Sequence, residues 1–223
     1  MKKNVTFISI CLFLIACGQA VSNMQNSNNS NMPTNQTVAG SPDYAKQMAL
    51  HDAMRKLWED HITWTRLFIV DAAAELPEKQ ATTDRLLQNQ VDIGNAIKTY
   101  YGNDAGEKLT TLLKTHITTA AELVTAAKVN DKARTEDAKT RWTANADEIA
   151  NFLAGANPKN WPADDVKKMM HDHLDLTTQE ATAQLNKDWK GSIAAYDKVH
   201  EQILHMADSL TDGIANQFPD KFK

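Results

Sequence analysis

Glycine, proline and cysteine are scarce in this 223-residue chain, which has 8 Gly, 6 Pro and 2 Cys. Gly and Pro together stand at roughly half their usual share. A β-sandwich or barrel turns every ~8–12 residues and draws on those residues to do so, which argues against turn-rich β folds. Two cysteines are too few for a disulfide scaffold. A basic excess is lacking as well: 24 Lys and Arg against 28 Asp and Glu leave a net charge of −4. That balance argues against a nucleic-acid binder. No Gly-rich phosphate loop follows a strand and no serine nucleophile elbow is present, so enzyme readings are weak. With 42% hydrophobic residues, the composition fits long helices with few connections. The length suffices to bury on the order of 70% of the unfolded surface.

What is present begins at the N-terminus. Lys2 and Lys3 precede a mostly apolar run from Val5 to Ala16, too short for an ordinary membrane span, which reads as a secretory signal. At its end, Leu14-Ile15-Ala16-Cys17 resembles the lipobox of bacterial lipoproteins. In that family the signal is cleaved before the cysteine, the thiol is joined to diacylglycerol, and the new amino group is often acylated, with palmitate the expected chain. The resemblance implies a signal peptide at 1–16, a lipidated Cys17 and a protein exported and anchored to a membrane by lipid. Gly18 after the cysteine matches outer-membrane sorting in a Gram-negative cell; otherwise the expected place is the outer face of the plasma membrane. Cys11 follows Ile10, a poor match for the small residue required, and is rejected as the modification site. A plain signal peptide or an uncleaved anchor is the alternative. Removal of the signal takes away Lys2 and Lys3, leaving 22 basic and 28 acidic residues, a charge of −6 and no free thiol. Residues 17–42 are rich in Asn, Ser, Gln and Thr and have too little apolar surface to fold. As a coil of about 25 residues they form a tether of roughly 25–30 Å.

From Tyr44 onward apolar residues recur at three- and four-residue intervals, which predicts an all-α domain over 43–223. Six helices are expected at 43–75, 78–101, 104–129, 132–154, 163–185 and 189–216. Pro77 and Pro162 fit the first turns of the second and fifth, and Asn103 and Asn130 are candidate N-caps of the third and fourth. Comparing the helices reveals a repeat anchored on His61, Gln90, His116, Asn145, His173 and His200. Odd helices repeat at 55 and 57 residues and even helices at 55 and 55. The expected architecture is an antiparallel six-helix bundle built from three repeated helical hairpins, with the six anchors level with one another near mid-height. Leu57, Trp58, Trp64 and Phe68 around His61, and Leu112, Leu113 and Leu123 around His116, put the anchors on buried stripes. Gly94 stands on the same face as Gln90, where a helical Gly invites close helix approach or room for a ligand.

Six buried polar groups at one level must satisfy each other, hold water or bind something. One reading is a closed hydrogen-bond network that fixes register and serves a structural or protein-interaction module. The other is a transition-metal site, copper or zinc, with a sensing, storage or scavenging role. His61, His116, His173 and His200 would be its ligands, and Gln90, Asn145, Asp92, Asp147 and Asp175 further ligands or orienting acceptors. Met169, Met170 and Met206 tilt that choice towards copper. Haem or another cofactor on two of the histidines is a third, smaller option. His51, His171 and His205 are expected at the surface or its boundary, Trp58 and Trp64 in the core, and Asp60 and Arg66 as surface charges. The stretch from Leu57 to Arg66 is the most distinctive local sequence. It resembles a set of uncharacterised exported bacterial helical proteins over most of the mature chain, a resemblance that implies no activity. The implied partners are a membrane, through the N-terminal lipid, and no nucleic acid; a protein partner is not identified.

Overall fold

The computed structural model describes residues 44–223. The signal peptide, Cys17 and the tether lie outside the described residues. Six helices follow in order: α1 Tyr44–Ala74, α2 Lys79–Tyr101, α3 Asn103–Lys128, α4 Lys132–Ala156, α5 Ala163–Leu185 and α6 Trp189–Gln217. A short 3-10 turn, Pro219–Phe222, ends the chain. No described helix is long and apolar enough to cross a membrane. The all-α helical bundle expected from the periodicity is what forms.

Each helix packs against its neighbours in sequence, and α1 also packs on α6, closing a ring. Contacts across the pairs show that neighbours run antiparallel. Asp71 meets Thr82 beside the α1–α2 turn and His61 meets Gln90 farther along; Arg66 meets Ser192 and Arg55 meets Asp208 across α1 and α6. The turns at 75–78, 129–131 and 186–188 are built alike. Glu75, Asn130 and Lys187 take positive φ of 58°, 56° and 61°. The next residues, Leu76, Asp131 and Asp188, donate their N–H to the carbonyls of Asp71, Ala126 and Ala183 at 2.9, 3.0 and 2.9 Å. That bond, from the residue after the left-handed one back into the helix's last turn, satisfies a carbonyl the helix itself leaves open.

Two cap expectations are corrected. Asn130 does not cap α4: its left-handed backbone ends α3, and Asp131 caps α4 by accepting from the Arg134 N–H at 3.1 Å. Asn103 is the first residue of α3, with Gly102 at the cap position. Pro162 occupies the cap position of α5, one residue ahead of the first turn. Asp188 caps α6 through the Gly191 N–H.

The apolar core falls into two clusters. The larger holds Met54, Trp58, Ile93, Leu109, Ile149, Met170, Ile203 and Leu210, towards the start of α1 and the end of α6. The smaller holds Phe68, Ile69, Ala72, Leu86, Ile117, Val124 and Ala181, towards the three turns just described. Between them lie His61, Gln90, His116, Asn145 and His173, all buried. Gly94 marks a close approach of α2 and α3. A Cβ there would sit 2.6 Å from the Gly106 carbonyl oxygen and closer still to the Thr110 hydroxyl.

Candidate functional site

In each of three helix pairs a histidine ring meets a carboxamide 29 residues later through Nδ1. The pairs are His61 with Gln90 at 3.2 Å, His116 with Asn145 at 3.0 Å and His173 with Gln202 at 3.2 Å. A carboxamide in each pair also donates to the backbone carbonyl four residues before that histidine. Asn145 donates to Leu112 O at 3.2 Å and Gln202 to Met169 O at 3.0 Å. In the first pair the task is divided: Asn89 donates to Leu57 O at 3.0 Å, and Gln90 donates to Asn89 Oδ1 at 3.0 Å. The geometry follows from helix periodicity. A residue and the carbonyl one turn before it lie on the same face, so one carboxamide opposite can reach both.

The second pair is the most completely satisfied. Trp142 Nε1–H donates to His116 Nε2 at 3.0 Å, so His116 carries its proton on Nδ1 and donates it to Asn145 Oδ1. No protein hydrogen bond reaches Nε2 of His61 or His173 among the described residues; their rings lie 5.7 Å apart, centroid to centroid. The first pair is the least satisfied. Gln90 Nε2 has three acceptors in reach for two hydrogens, namely His61 Nδ1, Leu86 O and Asn89 Oδ1, while Gln90 Oε1 and Trp58 Nε1 are buried without partners among the described residues. Each such group costs about 1–3 kcal/mol.

Burial dominates the electrostatics. It lowers His116 to about 3 and His173 to about 4, opposed by the bonds to Asn145 and Gln202. His61 is held well below its ordinary value by burial and then by the proximity of His173 and His116. All three imidazoles are neutral at pH 7.

Several expected members stand elsewhere. His200 is not in the layer: it is about a third exposed and its Nε2 meets Glu59 Oε1 at 2.9 Å across the α1–α6 seam. Gln202, two residues on, takes the place assigned to it. Asp92 is engaged by Gln88 and Arg85, Asp147 by His171 at 2.7 Å and Lys167 at 3.0 Å, and Asp175 is exposed. The layer therefore has no acidic border. Among the described residues no three His, Cys, Asp or Glu side chains converge as a metal site. His51 and His171 are part-exposed with acidic neighbours, and His205 is exposed.

Arg66 is not a plain surface charge. It donates to the buried Glu180 at 2.8 Å and to Ser192 Oγ at 3.3 Å, and lies 4.9 Å from the centre of the Tyr196 ring. Burial raises Glu180 to about 7 despite the pull of Arg66. Asn89, Gln202 and this ion pair were missed in the sequence. Gln202 had a signal: a 57-residue step from Asn145 lands on it, matching the step from His116 to His173.

These features define a class: an antiparallel six-helix bundle whose core is crossed by a layer of neutral histidines, each tied to a carboxamide. No family model matches the chain, and no curated protein or solved structure matches it.

Proposed function

We propose that the chain is a lipid-anchored extracytoplasmic module for interaction or binding, in which the polar layer fixes the register of three repeated hairpins. The observation that carries this reading is the threefold recurrence of one bond set, a histidine Nδ1 on a carboxamide 29 residues later and a carboxamide N–H on the carbonyl one turn before the histidine. It uses Nδ1 of each ring and a carboxamide of each pair on groups of the same pair, as a register lock requires. A slip of one residue would turn every carboxamide away from its ring and leave two buried groups unpaired per hairpin. The export half of the reading rests on Lys2, Lys3, the apolar run and Leu14-Ile15-Ala16-Cys17.

Two measurements test it. In bacteria fed labelled palmitate, the full chain takes up label and sediments with membranes, and Cys17→Ala loses both; a soluble, unlabelled wild type overturns the anchoring. Protein purified without an affinity tag then carries no stoichiometric metal.

A second reading retains copper or zinc. It is favoured by the 5.7 Å approach of the His61 and His173 rings and by the unpartnered Gln90 Oε1 beside them. Two imidazoles and one amide oxygen fall short of the four ligands of a structural zinc, and His116 has both ring nitrogens engaged. One tightly held metal ion per chain, lost in His61→Ala and His173→Ala, would establish this reading in place of the first.

A further inference from the structure

The smaller core cluster is incompletely filled. A pocket of about 280 Å³ lies on the turn side of the histidine layer, walled by α1, α3, α4 and α5 with Leu86 from α2. Phe68, Ile117 and Val124 are among its lining residues, and so is Trp142, whose indole N–H donates to His116. The pocket has a plain cause in the sequence. From Lys132 to Arg141, α4 carries only charged residues, Ala and Thr; Ala138 is the one buried side chain of that stretch, and α4 supplies no residue to the smaller cluster. Ala120, Ala121 and Ala181 also line the space, where longer aliphatic residues would close it.

The inner wall asks for no polar partner. Thr65, Thr135 and Thr178 return their hydroxyls to the carbonyl four residues back, at 2.8, 2.7 and 2.7 Å, and the Thr177 hydroxyl is buried out of reach. The mouth differs. Between α4 and α5 it is edged by the exposed Glu136, Lys139, Thr178 and Thr182, and an adjoining groove that shares Ala127, Thr135 and Glu136 with the pocket runs on to the exposed Lys132. Lys132, Glu136 and Lys139 stand at i, i+4 and i+7, on one face of the helix. None of these three side chains has a hydrogen-bond or ion-pair partner among the described residues, and α5 brings no charge to the mouth. Two ammonium groups against one carboxylate leave this edge cationic, although the chain as a whole is acidic. Lys139 lines the pocket itself, where its aliphatic stem adds apolar surface while the ammonium group stays in solvent.

We propose that this pocket binds a small amphiphilic monocarboxylate, its apolar body inside and its carboxylate at the mouth against Lys139. Apolar walls with a few polar groups that fix orientation are the usual makeup of a small-molecule site. The size sets the body. An engineered cavity of about 150 Å³ takes up benzene, so a space of about 280 Å³ holds roughly ten carbons at a similar filling. A medium-chain fatty acid is the simplest molecule of this class. The site touches Trp142 but none of the layer's histidines or carboxamides, and it stands whether or not Cys17 is acylated.

The test uses the full chain at low ionic strength with decanoate, 1-decanol and decylamine, probes of one chain length whose heads are negative, neutral and positive. Calorimetry gives the affinity, and chemical shifts of the Trp142 indole N–H and the Ile117 and Val124 methyl groups give the place. Decanoate shifts those signals and binds more tightly than 1-decanol, and 1-decanol more tightly than decylamine. Lys139→Met keeps most of the stem and removes the charge. It weakens decanoate by about two- to fivefold, as an exposed ion pair gives, and leaves 1-decanol unchanged. Ala181→Leu narrows the pocket and weakens all three probes. Absence of decanoate binding to folded wild type at millimolar probe, or shifts confined to residues outside the pocket, overturns the site. Decylamine as tight as decanoate, or an unchanged decanoate affinity in folded Lys139→Met, overturns the role of the lysine.

Discussion

Acid should destabilise this bundle through its buried histidines. His116 and His173 are held at about 3 and about 4 by burial, and His61 is also well below its ordinary value. In the unfolded chain a histidine titrates near 6.5. Between the folded and unfolded values the unfolded state binds more protons, so stability falls as pH falls. The contribution is complete above about pH 6.5 and is lost towards pH 3–4. From pH 7.5 to 4.5, His116 and His173 together remove about 5 kcal/mol, to which His61 adds in the same direction. Glu180 opposes them. Its folded value is raised to about 7, so it contributes stability at low pH that is lost as pH rises from about 4.5 through 7, and acidification returns about 3 kcal/mol. The net loss of about 2 kcal/mol, to which His61 adds, is a large part of the 5–15 kcal/mol typical of a domain. The assay is urea unfolding at pH 7.5, 6.0 and 4.5 at fixed ionic strength, on wild type and Glu180→Gln. The midpoint is expected to fall with pH in both, and more steeply in Glu180→Gln, where the opposing carboxyl is gone. A midpoint that holds or rises in Glu180→Gln refutes the placement of neutral imidazoles in the core.

Three further outcomes test the packing. His116→Leu orphans Asn145 Oδ1 and Trp142 Nε1–H and is expected to cost roughly 2–5 kcal/mol in urea unfolding. Adding Asn145→Leu should recover part of that loss, whereas strict additivity of the two changes would contradict the bond. Gly94→Ala, which in an isolated helix would gain up to about 1 kcal/mol, should instead lose about 1–3 kcal/mol because its Cβ meets Thr110 and the Gly106 carbonyl; thermal denaturation gives the sign. Lys187→Gly should raise stability by about 0.5–1 kcal/mol by relieving a side chain from a φ of 61°, and a melting temperature that falls would contradict the turn geometry.

The helices and most of the layer were legible because both follow from local spacing. Apolar residues three and four apart mark a face, and His61, Gln90, His116, Asn145 and His173 stand on those faces whatever the tertiary contacts. His200 was misplaced for a chemical reason. An imidazole looked the better match to His61, His116 and His173, yet what each ring requires opposite it is a group that receives or gives a hydrogen bond at Nδ1 and also reaches a backbone carbonyl. A carboxamide does both, and Asn145 already pointed to that type. Arg66 and Glu180 lie 114 residues apart, and no periodicity couples two residues on α1 and α5; only packing does. The pocket was illegible for a related reason, since small residues at the start of α4 read equally well as a surface.

The spacing of the layer also says which parts of the chain are free to vary. Histidine and carboxamide are 29 residues apart in all three pairs, and the left-handed turn residues Glu75, Asn130 and Lys187 each lie 14 residues beyond their histidine. The step from one histidine to the next, however, lengthens from 55 to 57. The two extra residues fall between Asn145 and His173, a stretch that contains the six-residue connection 157–162, where α2 and α3 are separated by Gly102 alone. A bond made inside a pair holds register there and nowhere else, so the connection between pairs can grow without unpairing any ring. Insertions at the exposed Pro158 and Lys159 are accordingly the ones this architecture should absorb, whereas Asn157 and Trp161 on either side are buried and donate to the Gly213 and Ser209 carbonyls of α6. A single residue inserted between His116 and Asn145 would rotate Asn145 off its ring and leave both groups buried and unpaired.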